Sequence, residues 1–110
     1  MGDTKPVIAS TLAQQDIDAA ADHYLAESGV PLALRFVDAV SDAMQLIGRQ
    51  PGIGSPRLAH EVGIEGLRSW PLAGFPYLVL YLDHDDAVDV LRVLHGARDV
   101  PATLLEPAKP

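Results

Sequence analysis

The sequence of 110 residues contains no cysteine and only two lysines. Without cysteine the chain has no disulfide framework, no thiolate zinc site and no cysteine nucleophile. The two lysines, Lys5 and Lys109, both lie near a terminus, and 15 acidic residues against 8 basic ones give a net charge of -7. Such a surface repels a phosphate backbone, because nucleic-acid binding needs lysine and arginine to displace counterions. We therefore expect no sequence-specific nucleic-acid binding, although a local basic site among the arginines remains open.

Long apolar runs are also missing. The longest, from Tyr77 to Leu82, has the length of a strand, whereas a membrane-spanning helix needs about 18 apolar residues. The first residues lack the basic region and apolar core of a secretory signal. We expect a cytoplasmic protein with no membrane partner, folded as one domain over residues 1–110 with a short C-terminal tail from about residue 100.

The start of the chain predicts a short strand followed by a helix. Residues 6–10 are rich in β-branched side chains, which favour an opening strand. Thr11 and Gln14 have the spacing of a capping box, and apolar residues then recur at helical spacing as far as Leu25. Gly29 is placed to end this helix in the left-handed conformation.

A second amphipathic helix follows almost at once. Pro31 suits a first helical turn, and apolar residues at helical spacing continue to about Arg49. Because only two to four residues link the helices, we expect an antiparallel helical hairpin. Residues 50–56 are rich in proline and glycine and cannot continue the helix. A loop is then predicted to run through Glu65.

The second half predicts three strands, over residues 67–72, 77–82 and 87–94. The connections, residues 73–76 and 83–86, are short enough for antiparallel hairpins. Both faces of the middle strand are largely apolar, so we expect it to be central in the sheet. The predicted fold class is α+β, with a short N-terminal strand, an antiparallel helical hairpin and a three-stranded antiparallel meander.

Several segments, in this order, carry a family likeness. The first helix has an Asp-Ile pair followed by alanine and tyrosine, and the second is followed by Pro-Gly-Ile-Gly. The most specific segment is Leu-Arg-Val-Leu-His-Gly-Ala-Arg-Asp at residues 91–99, preceded by Leu-Arg-Ser at residues 67–69 and a hydrophobic central strand. Over about residues 7–100 the chain resembles the ParE branch of the RelE/ParE toxins.

The resemblance implies the toxin half of a type II toxin-antitoxin pair, neutralised by a small cognate antitoxin in a hetero-oligomer. The target that it implies is DNA gyrase, poisoned through protein-protein contact without a metal or other cofactor. The RelE branch instead cuts mRNA on the ribosome. Because the two branches share a fold, the choice between a binding toxin and a metal-independent endoribonuclease depends on the site.

A RelE-like cleavage site needs a base, an acid and cationic donors for the phosphate. Arg68, His95 and Arg98 are the candidates in this alternative reading, with His95 as the acid or the base. RelE-type sites are rich in lysine, which this chain lacks between its termini. The sequence therefore favours a binding toxin without a catalytic centre.

Strand alternation also bears on this choice. In a regular last strand Arg92 lies on one face and His95 on the other, so they form no simple pair unless a bulge or Gly96 turns His95. The expected neighbours are Val88, Val90 and Leu94 for Arg92, and Leu91 and Val93 for His95.

We expect target or antitoxin binding by Arg68, Trp70, Arg92, His95, Arg98, Leu104 and Leu105. Arg68 and Arg98 lie at the ends of elements, where loops present contact groups. Pro71 cannot donate to a central ladder, which places Trp70 on an edge strand, where it suits an interface anchor or core packing equally. The alternative for the arginines is that they only organise the sheet surface through pairs with acidic residues. Those acids are Asp83, Asp85, Asp86, Asp89 and Asp99. For His95, the alternative is a hydrogen-bonded histidine at a strand end.

Overall fold

The structure, a computed structural model, describes residues 4–100 and consists of a four-stranded sheet with three α-helices. The elements are β1 (Val7–Ala9), α1 (Thr11–Ser28), α2 (Val30–Arg49), α3 (Arg57–Val62), β2 (Leu67–Pro71), β3 (Tyr77–Asp83) and β4 (Val88–His95), with a 3-10 turn at Pro51–Ile53. Within residues 4–100, no helix is long and apolar enough to cross a bilayer.

The strand order is β1-β4-β3-β2, which makes the sheet mixed. β2, β3 and β4 form the predicted antiparallel meander, and β1 pairs with β4 in parallel, with Val7 opposite Val88. The predicted α+β fold class is confirmed. β3 is an inner strand with apolar residues buried on both faces, as its sequence predicts.

The start of α1 differs by one residue from the prediction. Its N-cap is Ser10, whose Oγ accepts a hydrogen bond from the N–H of Ala13 at 3.0 Å, so Thr11 is the first helical residue. Ser10 is held in this role because its hydroxyl also donates to the carbonyl of Leu91 in the sheet at 2.8 Å. Gln14 reaches back to the carbonyl of Ala9 at 3.0 Å rather than closing a capping box.

The link between α1 and α2 is Gly29 alone. Its φ of 85° is positive as predicted, but its ψ of -176° is extended, so the left-handed helical conformation was a wrong prediction. This region of backbone space is open essentially to glycine only, and it reverses the chain within one residue.

The loop predicted through Glu65 contains the short helix α3. Gly63 ends this helix with φ 73° and ψ 24°, a left-handed C-cap. Leu58 of α3 is buried with Leu67 of β2 on the sheet face away from the hairpin. The prediction missed α3 because six residues give too short a periodic pattern to be distinguished from a loop.

Two apolar clusters lie on opposite faces of the sheet. The helical hairpin covers the larger one, in which Phe36, Val79 and Tyr81 are fully buried. The smaller one lies under α3, where Leu67, Leu80 and Leu94 are buried. The aliphatic side chains of β3 and β4 therefore hold the helices on one face and α3 on the other.

Candidate functional site

Arg68 is held by the turn that follows α2. Its Nη1 donates to the carbonyl of Gly54 at 2.7 Å and to that of Gly52 at 3.3 Å. The neighbouring Tyr81 hydroxyl donates to the carbonyl of Pro51 at 2.7 Å and accepts from the N–H of Gly54 at 2.9 Å. Burial raises the pKa of Tyr81. The Arg68 guanidinium is thus engaged inside the chain, a structural role that its place at a strand start did not predict.

Arg92 pairs with an acid of the first helix. The Asp16 carboxylate accepts from Arg92 Nε at 2.8 Å and Nη2 at 2.9 Å, and from the N–H of Val93 at 3.0 Å. The hydrogen bonds from the Arg92 guanidinium to Asp16 raise the pKa of Arg92 above its ordinary value. Pairing with the acids of the sheet and its turns, the alternative from sequence, is wrong for Arg92. In the sequence Asp16 was noted only as the acid of the Asp-Ile pair of the first helix, and no partner was predicted for it.

A bulge in β4 changes which residues share a face. Tyr81 lies opposite Val90 and Leu80 opposite Arg92, which leaves Leu91 as an extra residue. Val88 and Val90 therefore face the helical hairpin, whereas Arg92 and Leu91 lie on the other face. The predicted neighbours of Arg92 were wrong for both valines, and Leu91 was wrongly placed with His95.

His95 and Arg98 meet at the end of β4. His95 Nδ1 accepts from the N–H of Arg98 at 3.2 Å, and the imidazole contacts Tyr77 edge-on, with ring centroids 5.5 Å apart. The N–H of His95 donates to Asp99 Oδ2 at 3.3 Å. The Arg98 side chain is 63% exposed and only loosely paired, with Nε 3.5 Å from Asp99 Oδ1. Burial raises the pKa of Tyr24, and the positive charge of Arg98 offsets part of this rise.

The three residues of the cleavage hypothesis do not converge. Arg68 lies opposite Tyr81 and His95 opposite Tyr77, so they are separated by four positions of β3, about 13 Å along the strand. They also stand on β2 and β4, on opposite sides of β3. Only His95 and Arg98 are neighbours. Within the described part of the chain, no cluster of three His, Asp or Glu side chains is arranged to hold a metal ion.

Trp70 lies on the outer strand β2, as Pro71 predicts. Its indole is half-buried against the larger apolar cluster, so it packs on the core and also lines a surface groove. The groove, about 700 Å³, separates α2 from the β2–β3 turn. Asp38 and Asp42 line its α2 wall together with Arg35. The predicted contact residues Leu104 and Leu105 lie outside the described residues.

A second groove lies at the opposite edge of the sheet. It measures about 440 Å³ and runs between β1 and α2, where Val7, Val37, Val40 and Met44 line it. Large apolar side chains are exposed around this edge and along both long helices. They are Ile8, Leu12, Leu25, Val30, Leu34 and Val37.

Comparison with known proteins agrees with this architecture. A family model described as "ParE toxin of type II toxin-antitoxin system, parDE" matches residues 7–100. A solved structure titled "Chromosomal ParDE TA system from P. aeruginosa" is similar with a TM-score of 0.71 and 21% identity, covering 84% of this chain and 96% of that chain. At this identity the likeness extends to the fold. No curated protein matches the sequence.

Proposed function

The chain belongs to the ParE toxin family of type II toxin-antitoxin systems, and from this premise we propose that it poisons DNA gyrase by protein-protein contact and is neutralised by a cognate antitoxin. Family membership supports the toxin role. The choice of gyrase over mRNA cleavage depends on how the chain uses its arginines.

The observation that carries this choice is that the arginines on the sheet are engaged within the chain. Carbonyls of the turn after α2 hold Arg68, and Asp16 holds Arg92 with a bidentate pair. Phosphate cleavage needs several cationic donors around one reacting group. Arg98 offers an exposed guanidinium, but its neighbour His95 already accepts a backbone hydrogen bond. This arrangement favours binding of a protein target over catalysis.

Arg98 is the residue on which contact with gyrase is proposed to depend. Its guanidinium projects from the turn after β4, and an exposed arginine on a rigid element is a common interface anchor. Arg49 is an exposed arginine in the last turn of α2, which lies beside Lys5 near the start of β4 rather than its end, and is the matched control.

The test measures gyrase activity with purified protein. We expect inhibition of supercoiling or trapping of cleaved DNA in the presence of gyrase, with ribosome-bound mRNA left intact. Arg98→Ala should weaken inhibition at least ~10-fold, and Arg49→Ala less than ~3-fold. Codon-dependent mRNA cleavage that disappears in His95→Ala would establish the endoribonuclease instead.

The antitoxin is proposed as the partner that covers exposed apolar side chains. Ile8 of β1 and Leu34 and Val37 of α2 are each more than two-fifths exposed, and extensive exposed apolar surface is typical of interaction sites. We expect co-purification with the product of the adjacent gene as a complex that resists high salt. Recovery of the free chain alone, beside an expressed neighbour, would contradict the proposal.

A further inference from the structure

The groove between α2 and the β2–β3 turn, about 700 Å³, has an apolar base. Leu72 and Ala43 line it and are buried. Ala39 lies one turn before Ala43 on the same face of α2. Because an alanine side chain is a single methyl group, α2 leaves space here that a longer side chain would fill.

Two aromatic side chains lie on the sheet side of this groove. Trp70 of β2 and Phe75 of the β2–β3 turn are both half-buried and both line it. Phe75 is held by edge-on contacts with Tyr24 and Phe36, with ring centroids 5.1 and 5.3 Å apart. Aromatic faces attract arginine and lysine through cation–π contact as well as apolar packing. The groove therefore suits a cationic side chain with an aliphatic stem.

The α2 wall of the groove adds negative charge. Asp38 and Asp42 line it one helical turn apart, and both are exposed. Within residues 4–100, neither carboxylate forms an ion pair. Arg35 also lines this wall, but it is about 10 Å from Asp42 along the helix axis. The described lining therefore carries a net negative charge that one further cation would neutralise.

The groove adjoins the turn that carries Arg98. The N–H of Gly96 donates to the carbonyl of Pro76 at 2.9 Å, and residues 73–75 of the same β2–β3 turn line the groove. The groove and the turn after β4 thus meet at one end of the sheet. The β1 strand, in contrast, forms the opposite edge of the sheet from β2. A partner that covers Arg98 can reach the groove directly.

We propose that this groove binds a segment of gyrase that carries an arginine or lysine. The cationic group lies beside Asp38 and Asp42, and its aliphatic stem packs against Trp70 and Phe75. Charges attract more strongly beside an apolar surface than in open water, because the effective dielectric constant is lower there. The groove extends the contact surface that begins at Arg98. The inference rests on the proposed function, because that function supplies the target.

Neutralising the two carboxylates tests the charged wall. The assay is inhibition of gyrase supercoiling by the full chain. The double variant Asp38→Asn, Asp42→Asn should weaken inhibition at least ~10-fold. The matched control is Asp18→Asn, Asp22→Asn, which neutralises two exposed aspartates one turn apart on α1, outside the groove. It should change inhibition less than ~3-fold, because the net charge of the chain changes equally in both variants.

Filling the groove tests its apolar part without changing the charge. Ala39→Leu places a larger side chain in the groove and should weaken inhibition at least ~10-fold. Ala26→Leu makes the same change at an exposed position of α1 outside the groove, and inhibition should change less than ~3-fold. Thermal unfolding of both variants measures whether each is folded.

Trp70 is the only tryptophan of the sequence, so its protection can be followed directly. Hydroxyl-radical footprinting with mass spectrometry compares the chain alone with the chain bound to gyrase on DNA. Oxidation of Trp70 should fall at least ~5-fold in the complex, because a bound segment excludes water from the indole. Met44 lines the groove beside β1, and its oxidation should not change.

The outcomes separate this inference from the proposed function. If the unsubstituted chain does not inhibit gyrase, the target part of the proposed function fails and the inference fails with it. If the chain inhibits gyrase while the groove variants match their controls, or Trp70 stays unprotected, only the inference is overturned. Protection of Trp70 by the product of the adjacent gene but not by gyrase would make the antitoxin the occupant. Protection on raising the concentration of the free chain would make it a second copy, and either result overturns the inference.

Discussion

The two outer strands of the sheet differ in how their edges are completed. At β2, side chains and backbone of the turn after α2 close the edge: Tyr81 and Arg68 fix that turn, and Ser55 bonds to Ser69. At β1, three residues pair on one side only. An edge completed by its own chain adds stability, whereas an open edge leaves capacity for a partner. Substitutions at the β2 edge should therefore lower the free energy of unfolding more than substitutions at the β1 edge.

The first helix limits how far the open edge extends. Beyond the end of β1, Ser10 donates to the carbonyl of Leu91 and Asp16 accepts the N–H of Val93. These two side chains supply hydrogen bonds to β4 that a longer β1 would have supplied. The two edges therefore differ because Val7–Ala9 leaves the β1 edge open, whereas the turn at Gly54 closes the β2 edge.

The largest expected effect is overpacking of the β2 side by Gly54→Ala. A Cβ at this position would lie 2.6 Å from the Tyr81 hydroxyl and 3.0 Å from Arg68 Cβ. We expect a loss of about 3 kcal/mol in the free energy of unfolding, measured by chemical denaturation. Gly52→Ala is the control: a Cβ there meets no described atom within 4 Å, and its cost should stay within about 1 kcal/mol. Equal losses would mean that the close contact does not fix the turn.

Tyr81→Phe removes the hydrogen bonds of the same turn without adding volume. It leaves the N–H of Gly54 and the carbonyl of Pro51 without their partner, and the expected cost is about 2 kcal/mol. Crystallography or NMR of the variant checks that the turn keeps its position. A loss below about 0.5 kcal/mol would show that water replaces the hydroxyl and that packing alone closes this edge.

The same tyrosine makes the free energy of unfolding depend on pH in the alkaline range. Burial raises the pKa of Tyr81 above its unfolded value of 10.0. Folding therefore favours the protonated hydroxyl, and this stabilisation is complete below pH 10 and is lost as the pH rises through the folded pKa. Above pH 9, denaturation midpoints should fall less steeply with rising pH in Tyr81→Phe than in the unsubstituted protein. Burial also raises the pKa of Tyr24, so the slope should become shallower without vanishing. An identical slope in both proteins would contradict the assignment to Tyr81.

Asp16→Asn tests the helix that ends the open edge. The carboxylate is 14% exposed and accepts three hydrogen bonds from Arg92 and Val93. An amide retains one acceptor oxygen and no charge, and we expect a loss of about 1.5 kcal/mol. Asp18 lies two residues further along α1, is exposed and has no such partner in the described chain. Asp18→Asn should therefore change stability by less than about 0.5 kcal/mol. If the two variants unfold together, the pair with Arg92 contributes nothing measurable.

The smallest expected effect on stability is at the open edge itself. Ile8 is 55% exposed, so Ile8→Thr should change the free energy of unfolding by no more than about 0.5 kcal/mol. Leu67 of β2 is 1% exposed, and Leu67→Thr should cost about 3 kcal/mol. Thermal unfolding of the two variants measures the contrast directly. A large loss in Ile8→Thr would show that the β1 edge is already covered within the chain.

Much of the fold follows from local patterns. The helical hairpin follows from apolar spacing with Gly29 and Pro31 between the helices, and the meander follows from short apolar runs separated by turns. The cap of α1 could not be predicted uniquely, because Ser10 and Thr11 are both good caps and Ser10 also bonds to Leu91. For α3, Gly63 was an available signal for a C-terminus, although the helix is only six residues long.

The candidate site was predictable in its residue types but not in its contacts. Arg68, Arg92 and Arg98 were all identified from the sequence, yet their surroundings differ: a turn, an aspartate of α1 and solvent. The bulge at Leu91 has no sequence signal, since no glycine or proline interrupts β4 there. The face of the sheet on which each residue beyond a bulge lies cannot be predicted without the register of the neighbouring strand.

By itself, the sequence determined where the two long helices and the four strands lie, because hydrophobic periodicity and turn residues act over a few neighbouring positions. It also determined the family resemblance, through the order of its motifs. Only the tertiary structure decided that Asp16 meets Arg92, 76 residues away, and that Arg68 holds the turn after α2. It likewise decided that β1 lies parallel to β4 with an open outer edge. These features depend on which distant segments come together, and that depends on the packing of the whole chain.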